Sequence, residues 1–188
     1  AANLILNEAG GYSFTFLHHG NPEVEQVKLQ VPGRHNACNA LAALVVADLL
    51  GLPLDQAALS LGQYQGTARR FQLRGEIGGI TVIDDYAHHP TEIRATLEAA
   101  RSRFPGRPLW AVWQPHTFSR TRALAGEFIQ AFGDAQHILV TEIYPAREAQ
   151  PPDGFSARQL VEKMSAAQAG HQDFYFAASL AEGRDILL

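Results

Sequence analysis

The stretch that decides the fold runs from residue 80 to residue 103 and reads ITVIDDYAHHPTEIRATLEAARSR. It begins as an apolar strand, passes through a polar loop and continues with the apolar spacing of an amphipathic helix. Pro90 lies in the expected first helical turn, where its missing N–H causes no loss. The stretch therefore predicts a strand, a polar loop and a helix in direct succession.

The same alternation continues to the end of the chain. The apolar runs LWAVW (109–113) and HILVT (137–141) and residues 173–177 predict further strands. Helices are predicted at about 120–132, from Ser156, which has capping-box spacing to Gln159, and at the C-terminal end. Strands that are continuous apolar runs and alternate with helices predict an α/β fold with a mostly parallel sheet covered on both faces.

The first 67 residues have a different pattern. Residues 1–31 predict a β-hairpin and a third strand, in which Val24, Val27, Leu29 and Val31 make one apolar face around a slight irregularity. A helix over 35–50 is apolar nearly all round, which predicts that it is buried. A short helix follows at about 54–61, residues 62–67 suit a boundary, and residues 70–84 predict two strands around a Gly-Gly turn.

Composition excludes several classes of function. With 46% hydrophobic and 18% charged residues, the chain can bury a core. Its net charge of -4 and the absence of a Lys/Arg run argue against nucleic acid or an anionic membrane as partner. Cys38 is the single cysteine, so an internal disulfide is impossible; we expect it to be a small core residue. Without a signal peptide or a membrane-spanning run, the expected location is the cytoplasm.

Polar side chains fill the loop between the predicted strand and helix at residues 84–89. Ligands of open α/β sheets bind outside the carboxyl ends of the strands, where Asp85, Tyr86, His88 and His89 would project. A carboxylate can accept hydrogen bonds from ribose hydroxyls, and an aromatic ring can flank a base or a substrate. The alternative is that the aspartates only stabilise the loop and the histidines are solvated.

A second polar string, GRHNACNA, occupies residues 33–40. Asn36 and Asn39 are three residues apart and share a helix face. An N-cap role explains Asn36 but not Asn39, one turn further on. Ligand contact and burial against backbone carbonyls are both open for Asn39.

A third polar string, QPHTFSRTR, follows the strand at 109–113 and should open on the same rim as the 84–89 loop. Arg120 could bind a carboxylate or phosphate in bidentate fashion, or it is a surface side chain in the first turn of a helix. At Arg69-Arg70, one guanidinium suits the surface, and the other needs an anionic partner if it points inward.

The sequence contains neither the phosphate-binding pattern G-x-x-x-x-G-K-[ST] nor G-x-G-x-x-G. His18-His19 has no metal-ligand spacing, and the acidic and imidazole groups of residues 84–89 do not indicate a cage. No metal site is predicted within the chain.

Taken together, five strings resemble the Mur ligases that build the peptide of the bacterial cell wall. They are GRHN-x-x-NALAA (33–43), ARRF (68–71), DDYAHHPTEI (84–93), QPHTFSRTR (114–122) and EIYPARE (142–148). The resemblance implies a three-domain enzyme. Residues 1–64 would be the tail of a central ATP-binding domain. Residues 65–188 would be a C-terminal Rossmann-like domain that lacks its last strand.

The resemblance also implies a reaction, in which ATP activates the carboxylate of UDP-N-acetylmuramate as an acyl phosphate and L-alanine attacks it. ATP and Mg²⁺ would be bound mainly by an upstream part. The nucleotide-binding residues would be His35, Asn36, Asn39, Arg70 and Asp85. The substrate-binding residues would be Tyr86, His88, His89, His116 and Arg120, with His88 and Arg120 catalytic.

Two other functions stay open on the sequence. A recycling ligase of the same family would attach a preformed peptide to the same sugar. A non-catalytic nucleotide- or peptide-binding module is the alternative from another class.

Overall fold

A computed structural model describes residues 1–17, 25–168 and 172–188. Val24 and the His18-His19 pair lie outside the described residues. The contacts divide the chain into two compact units. Unit 1 comprises Ala1–Tyr86 and Glu98–Pro105, and unit 2 comprises Ala87–Leu97 and Gly106–Leu188. The expected domain boundary between residues 64 and 65 stays a prediction.

Unit 1 contains two antiparallel sheets and two helices, together with the last part of a third helix. The elements are β1 (Ala2–Leu6), β2 (Gly11–Phe16), β3 (Glu25–Pro32), α1 (Arg34–Leu49), α2 (Leu54–Gln63), β4 (Gln72–Ile77) and β5 (Ile80–Asp84). The first three strands form a sheet in the order β1-β2-β3, and β4 and β5 form a hairpin. The hairpins and both helices agree with the prediction.

The core of unit 1 lies between the first sheet and helices α1 and α2. It is formed by Phe14, Phe16, Val27, Leu29, Ala37, Ala40, Leu44 and Ala58. The alternating apolar positions of β2 and β3 therefore face the helices, as the period of two requires.

The burial predicted for α1 is wrong on one of its faces. Leu44 and Ala47 are buried, whereas Val46 and Leu49 are 55% and 79% exposed, and Cys38 is exposed too. A helix that is apolar all round does not reveal which side packs. Among the described residues, only the β-sheet side of α1 has a packing partner that buries its side chains.

Unit 2 is built on a parallel sheet with the strand order β6-β7-β8. Its elements are the first part of α3 (Pro90–Arg103), then β6 (Trp110–Trp113), α4 (Phe118–Ala123), α5 (Ala125–Ile129), β7 (His137–Thr141), α6 (Ala157–Ala167), β8 (Asp173–Ala177) and α7 (Leu180–Leu187). The in-register pairs Trp110–His137 and His137–Asp173 align the starts of the three strands.

Helices pack on both faces of this parallel sheet, as predicted, but Trp110 and Val112 of β6 are exposed. On one face, Ile138 and Val140 pack in a cluster with Leu160 and Met164 of α6. On the other face, Gly183 of α7 lies against Leu139 and Thr141 of β7 and Ala177 of β8. Ser156 caps α6 by accepting a hydrogen bond from the Gln159 amide at 3.5 Å. The α/β class and the parallel sheet are confirmed.

Two details of the prediction need correction. The single helix expected over 120–132 is two short helices, because Leu124 (φ -105°, ψ 13°) departs from helical geometry and serves as the cap between them. The 84–89 and 114–122 loops would share a rim if the strands before them were parallel neighbours, but β5 pairs antiparallel with β4. The shared rim of the 84–89 and 114–122 loops therefore stays a prediction.

No helix in the described part of the chain is both long and apolar enough to cross a membrane.

Candidate functional site

In unit 1, the ARRF segment is tied to the residues after β5 by two hydrogen bonds and to the first residue of β4 by a third. The Phe71 amide donates to Asp85 Oδ2 at 2.7 Å, and the Tyr86 amide donates to the Arg69 carbonyl at 2.8 Å. The Arg69 amide donates to Gln72 Oε1 at 3.0 Å. Arg69 and Phe71 have φ values of 58° and 48°, a conformation that costs on the order of 1–3 kcal/mol each. The bonds hold this strained turn in place.

The ring of Tyr86 lies under two guanidinium groups. The Arg69 Cζ is 4.6 Å and the Arg70 Cζ is 5.9 Å from the ring centroid. Arg69 also lies 4.0 Å from a carboxylate oxygen of Asp84. Because cations over an aromatic face are attracted to its negative centre, the two arginines concentrate positive charge around Tyr86.

His35 packs against Gly33 at the start of α1. A Cβ atom on Gly33 would lie 2.5 Å from His35 Cε1, so the glycine makes room for the ring. Burial lowers the pKa of His35 below its usual 6.5; the charges of Asp85 and Glu98 oppose this shift, and Arg70 adds to it. Arg70 and Asp85 therefore both influence the pKa of His35. All three are predicted nucleotide-binding residues.

The two asparagines of α1 bond to each other. Asn36 Nδ2 donates to the Pro32 carbonyl at 2.8 Å, and Asn39 Nδ2 donates to Asn36 Oδ1 at 3.2 Å. The shared face is confirmed, but the N-cap role considered for Asn36 is wrong. The cap is Gly33, with φ 95°, and Asn36 already lies in the first helical turn.

In unit 2, His88 and His89 lie at the start of α3 and are held by Glu92. Glu92 Oε2 accepts from the amides of His88 and His89 at 3.0 and 3.2 Å, and lies 3.4 Å from His88 Nδ1. His89 Nδ1 accepts from the Thr91 amide at 3.3 Å. Both imidazole rings therefore have polar partners in the first turn of α3.

His116 and Arg120 follow the carboxyl end of β6. The Tyr144 amide donates to the Pro115 carbonyl at 2.9 Å, and the Tyr144 ring stacks on His116 at 5.2 Å between centroids. Arg120 Nη1 donates to the His116 carbonyl at 3.1 Å. The loops that follow β6 and β7 thus meet at this end of the parallel sheet.

Glu148 is hydrogen bonded to the residues between His116 and Arg120. It accepts from Thr117 Oγ1 at 2.6 Å, from the Ser119 amide at 2.9 Å and from the Ser119 hydroxyl. Donation by the Ser119 hydroxyl, then by Thr117 and the backbone amides, lowers the pKa of Glu148 to about 2. The carboxylate is therefore ionised at every ordinary pH.

The two arginines of the SRTR string have different surroundings. Arg122 is paired with Asp153 at 2.6 Å and lies over the Phe155 ring. Arg120 is partly buried, and among the described residues no carboxylate forms an ion pair with it. A partly buried guanidinium without a counter-ion is suited to an anionic ligand.

A family model described as "Mur ligase, glutamate ligase domain" matches residues 69–187. The chain belongs to the Mur ligase family. Among curated relatives, it is 45% identical to the UDP-N-acetylmuramate–L-alanine ligase of Geobacter sulfurreducens over 94% of this chain and 37% of that protein. It is 47% identical to the enzyme of the same name from Salinibacter ruber, over 80% of this chain and 31% of that protein. The chain thus spans about a third of the length of these relatives.

Solved structures of Mur ligases share the fold. The UDP-N-acetylmuramate-alanine ligase of Thermotoga maritima matches with a TM-score of 0.70 and 31% identity, over 89% of this chain and 34% of that one. A murein peptide ligase from Psychrobacter arcticus matches with a TM-score of 0.68 and 27% identity, over 98% of this chain and 37% of that one.

Sequence reasoning about this Mur ligase chain missed four residues that organise the candidate site. They are Arg69, Glu92, Tyr144 and Glu148. Tyr144 and Glu148 could have been found, because the EIYPARE string follows the apolar strand β7 and ligands bind beyond strand carboxyl ends. Arg69 could not, since its position over Tyr86 depends on a left-handed backbone.

Proposed function

We propose that this chain is part of a longer ATP-dependent Mur ligase that joins L-alanine to UDP-N-acetylmuramate through an amide bond. The observation that carries the proposal is the identity of 44–52% to eight curated relatives that all bear the name UDP-N-acetylmuramate–L-alanine ligase. The partly buried Arg120 supports it chemically, because carboxylates and acyl phosphates are the anions that such a reaction must hold.

ATP would supply the phosphoryl group that turns the sugar carboxylate into an acyl phosphate, with release of ADP. The residues of unit 1 fit a nucleotide: Arg70 brings a cation for phosphate, and Asp85 a carboxylate for ribose. His35, Asn36 and Asn39 complete the proposed nucleotide-binding set. Among the described residues no group of three His, Cys, Asp or Glu side chains could hold a metal ion.

In the second step the amine nitrogen of L-alanine attacks the acyl carbon, phosphate leaves and the nitrogen loses a proton. Negative charge grows on oxygen atoms as the bond forms, and Arg120 is placed to stabilise it electrostatically. His88, anchored by Glu92, is the second proposed catalytic residue. Tyr86, His89 and His116 are proposed to line the substrate.

A ligation assay on the full-length protein tests the proposal. ADP release should require both UDP-N-acetylmuramate and free L-alanine. Arg120→Gln should lower kcat/KM on the order of 10²–10³-fold, as expected for loss of a group that stabilises developing charge. Arg122→Gln is the matched control, because that guanidinium already has Asp153 as partner; its activity should stay close to that of the parent.

The second candidate is the ligase that attaches a preformed peptide to the same sugar, favoured by the likeness to the murein peptide ligase of Psychrobacter arcticus. The same assay with a tripeptide in place of L-alanine distinguishes the two. Turnover with the tripeptide alone would overturn our assignment of the acceptor.

A further inference from the structure

Helix α4 lacks a cap from its own neighbours. Thr117 occupies the N-cap position with extended backbone geometry, yet its side chain makes no capping hydrogen bond. The hydroxyl of Thr117 instead donates to Glu148, 31 residues further along the chain, and the Ser119 amide donates to the other oxygen of the same carboxylate. Glu148 thus supplies the acceptor that the first turn of α4 requires.

We propose that Glu148 is a positioning residue, which acts through the loop 116–120 to orient Arg120 for the amino-acid substrate; this inference rests on the proposed function. The two residues that it binds, Thr117 and Ser119, alternate with His116 and Arg120. Ser119 is joined to Arg120 by a single peptide unit, and Thr117 is joined in the same way to His116, whose carbonyl accepts a hydrogen bond from Arg120.

The segment that carries Glu148 is itself attached to the same loop. Tyr144 stacks on His116, and its amide donates to the Pro115 carbonyl. Glu142, two residues earlier, accepts from the Ala157 amide at 3.2 Å, which ties the start of the segment to α6. β6 and β7 are neighbouring parallel strands, so the loops at their carboxyl ends lie side by side. Tyr144 holds the first loop at Pro115 and His116, and Glu148 holds it at Thr117 and Ser119.

A short helix needs such an anchor. Helix α4 has six residues, and helices of this length have little stability of their own. The buried residues Phe118 and Thr121 fix the inner side of α4. Arg120 is only partly buried, so packing alone does not fix its position. The carboxylate also does not neutralise Arg120, since both of its oxygens are engaged by hydroxyl and amide donors and no ion pair joins the two side chains.

The test compares Glu148→Ala, Glu148→Gln and Glu162→Ala in the full-length ligase. Glu162 is an exposed glutamate of α6 in the same unit and serves as the matched control. Glu148→Ala should lower kcat/KM for L-alanine on the order of 10²-fold, the effect of a misplacement of about 1 Å, while the KM for ATP stays near that of the parent. Glu148→Gln keeps one acceptor oxygen and should lose less.

A purely structural role would give a different result. All three substrate KM values would then rise together as the unfolding temperature falls, and this outcome, like an unchanged kcat/KM for L-alanine, overturns the proposal. If Glu148→Ala does not fold, the double variant Thr117→Val, Ser119→Ala removes the same hydroxyl donors. It should show the same selective loss.

One measurement is independent of turnover. Hydrogen exchange at the Ser119 amide should be faster in Glu148→Ala than in Glu162→Ala, because the acceptor has been removed. Equal exchange would refute the anchor itself. Absence of L-alanine-dependent ADP release in the parent protein would instead refute the proposed function, so the two failures are distinguishable.

Discussion

At the scale of single residues, His35 reports on the electrostatics of unit 1. Its pKa lies below 6.5 because burial disfavours the charged ring. At a pH between the pKa of His35 in the folded state and that in the unfolded state, folding therefore releases a proton from the ring. The stability that this residue contributes is present above the unfolded pKa and is lost as the pH falls through the folded pKa. We expect an NMR titration of the His35 ring to have a midpoint below 6.5.

Charge variants test whether Asp85 and Arg70 are the neighbours that influence the pKa of His35. Asp85→Asn should lower the His35 midpoint further, because that carboxylate stabilises the imidazolium, and Arg70→Gln should raise it. Asp55→Asn, at an exposed aspartate of α2, is the control and should leave it unchanged. A parent midpoint at or above 6.5, or equal responses to the two Asp substitutions, would contradict this account.

Some of these residue-level features follow from sequence and others do not. The three-residue spacing of Asn36 and Asn39 predicts a shared face, and the two amides are hydrogen bonded. The exposure of Cys38 does not follow, because it depends on which side of an apolar helix packs. The position of Arg69 over Tyr86 also depends on tertiary structure, through a backbone conformation that arginine rarely adopts.

At the scale of elements, the two faces of α1 differ in what they contribute to stability. Leu44 is fully buried in the core of unit 1, whereas Leu49, on the same helix, is 79% exposed. Leu44→Ala should lower the free energy of unfolding by about 2–5 kcal/mol, since it removes transfer free energy and leaves a cavity. Leu49→Ala should change it by about 0.5 kcal/mol or less.

Urea-induced unfolding of residues 1–188 measures both variants. The comparison uses the same substitution twice on one helix, so the groups removed are identical at the two positions. Similar losses at the two positions would mean that the outer face of α1 is buried after all.

The element types could be read from the sequence, but their partners could not. The apolar runs at 109–113 and 137–141 predict parallel strands that are covered on both faces. Both strands are parallel and β7 is buried, whereas Trp110 and Val112 of β6 are exposed. The pattern at 80–84 predicts a strand equally well, yet it pairs antiparallel with β4. The period of the apolar side chains indicates which faces of a strand are buried. It does not indicate which strand pairs with either of its edges. The break at Leu124 also leaves the apolar spacing of 124, 128 and 132 intact.

At the scale of the whole molecule, the chain contains side chains that can hold anions but no sequence that cradles the phosphates of ATP. Arg70 in unit 1 and Arg120 in unit 2 are the guanidinium groups proposed for this role. The pattern G-x-x-x-x-G-K-[ST] is absent from residues 1–188. Phosphoryl transfer depends on positioning and on stabilisation of the charge that spreads over the transferred group.

We therefore expect residues 1–188 by themselves to release no phosphate from ATP. Each of the two proposed arginines would hold an anion, but without backbone N–H groups and a lysine around the β- and γ-phosphates the barrier to transfer stays that of solution. The measurement is phosphate release as a function of protein concentration, with Arg70→Gln as the matched variant. A rate that rises with protein concentration and falls in Arg70→Gln would place ATP hydrolysis within this chain. A rate equal to that of buffer, together with L-alanine-dependent turnover by the full-length protein, would place the phosphate cradle outside residues 1–188.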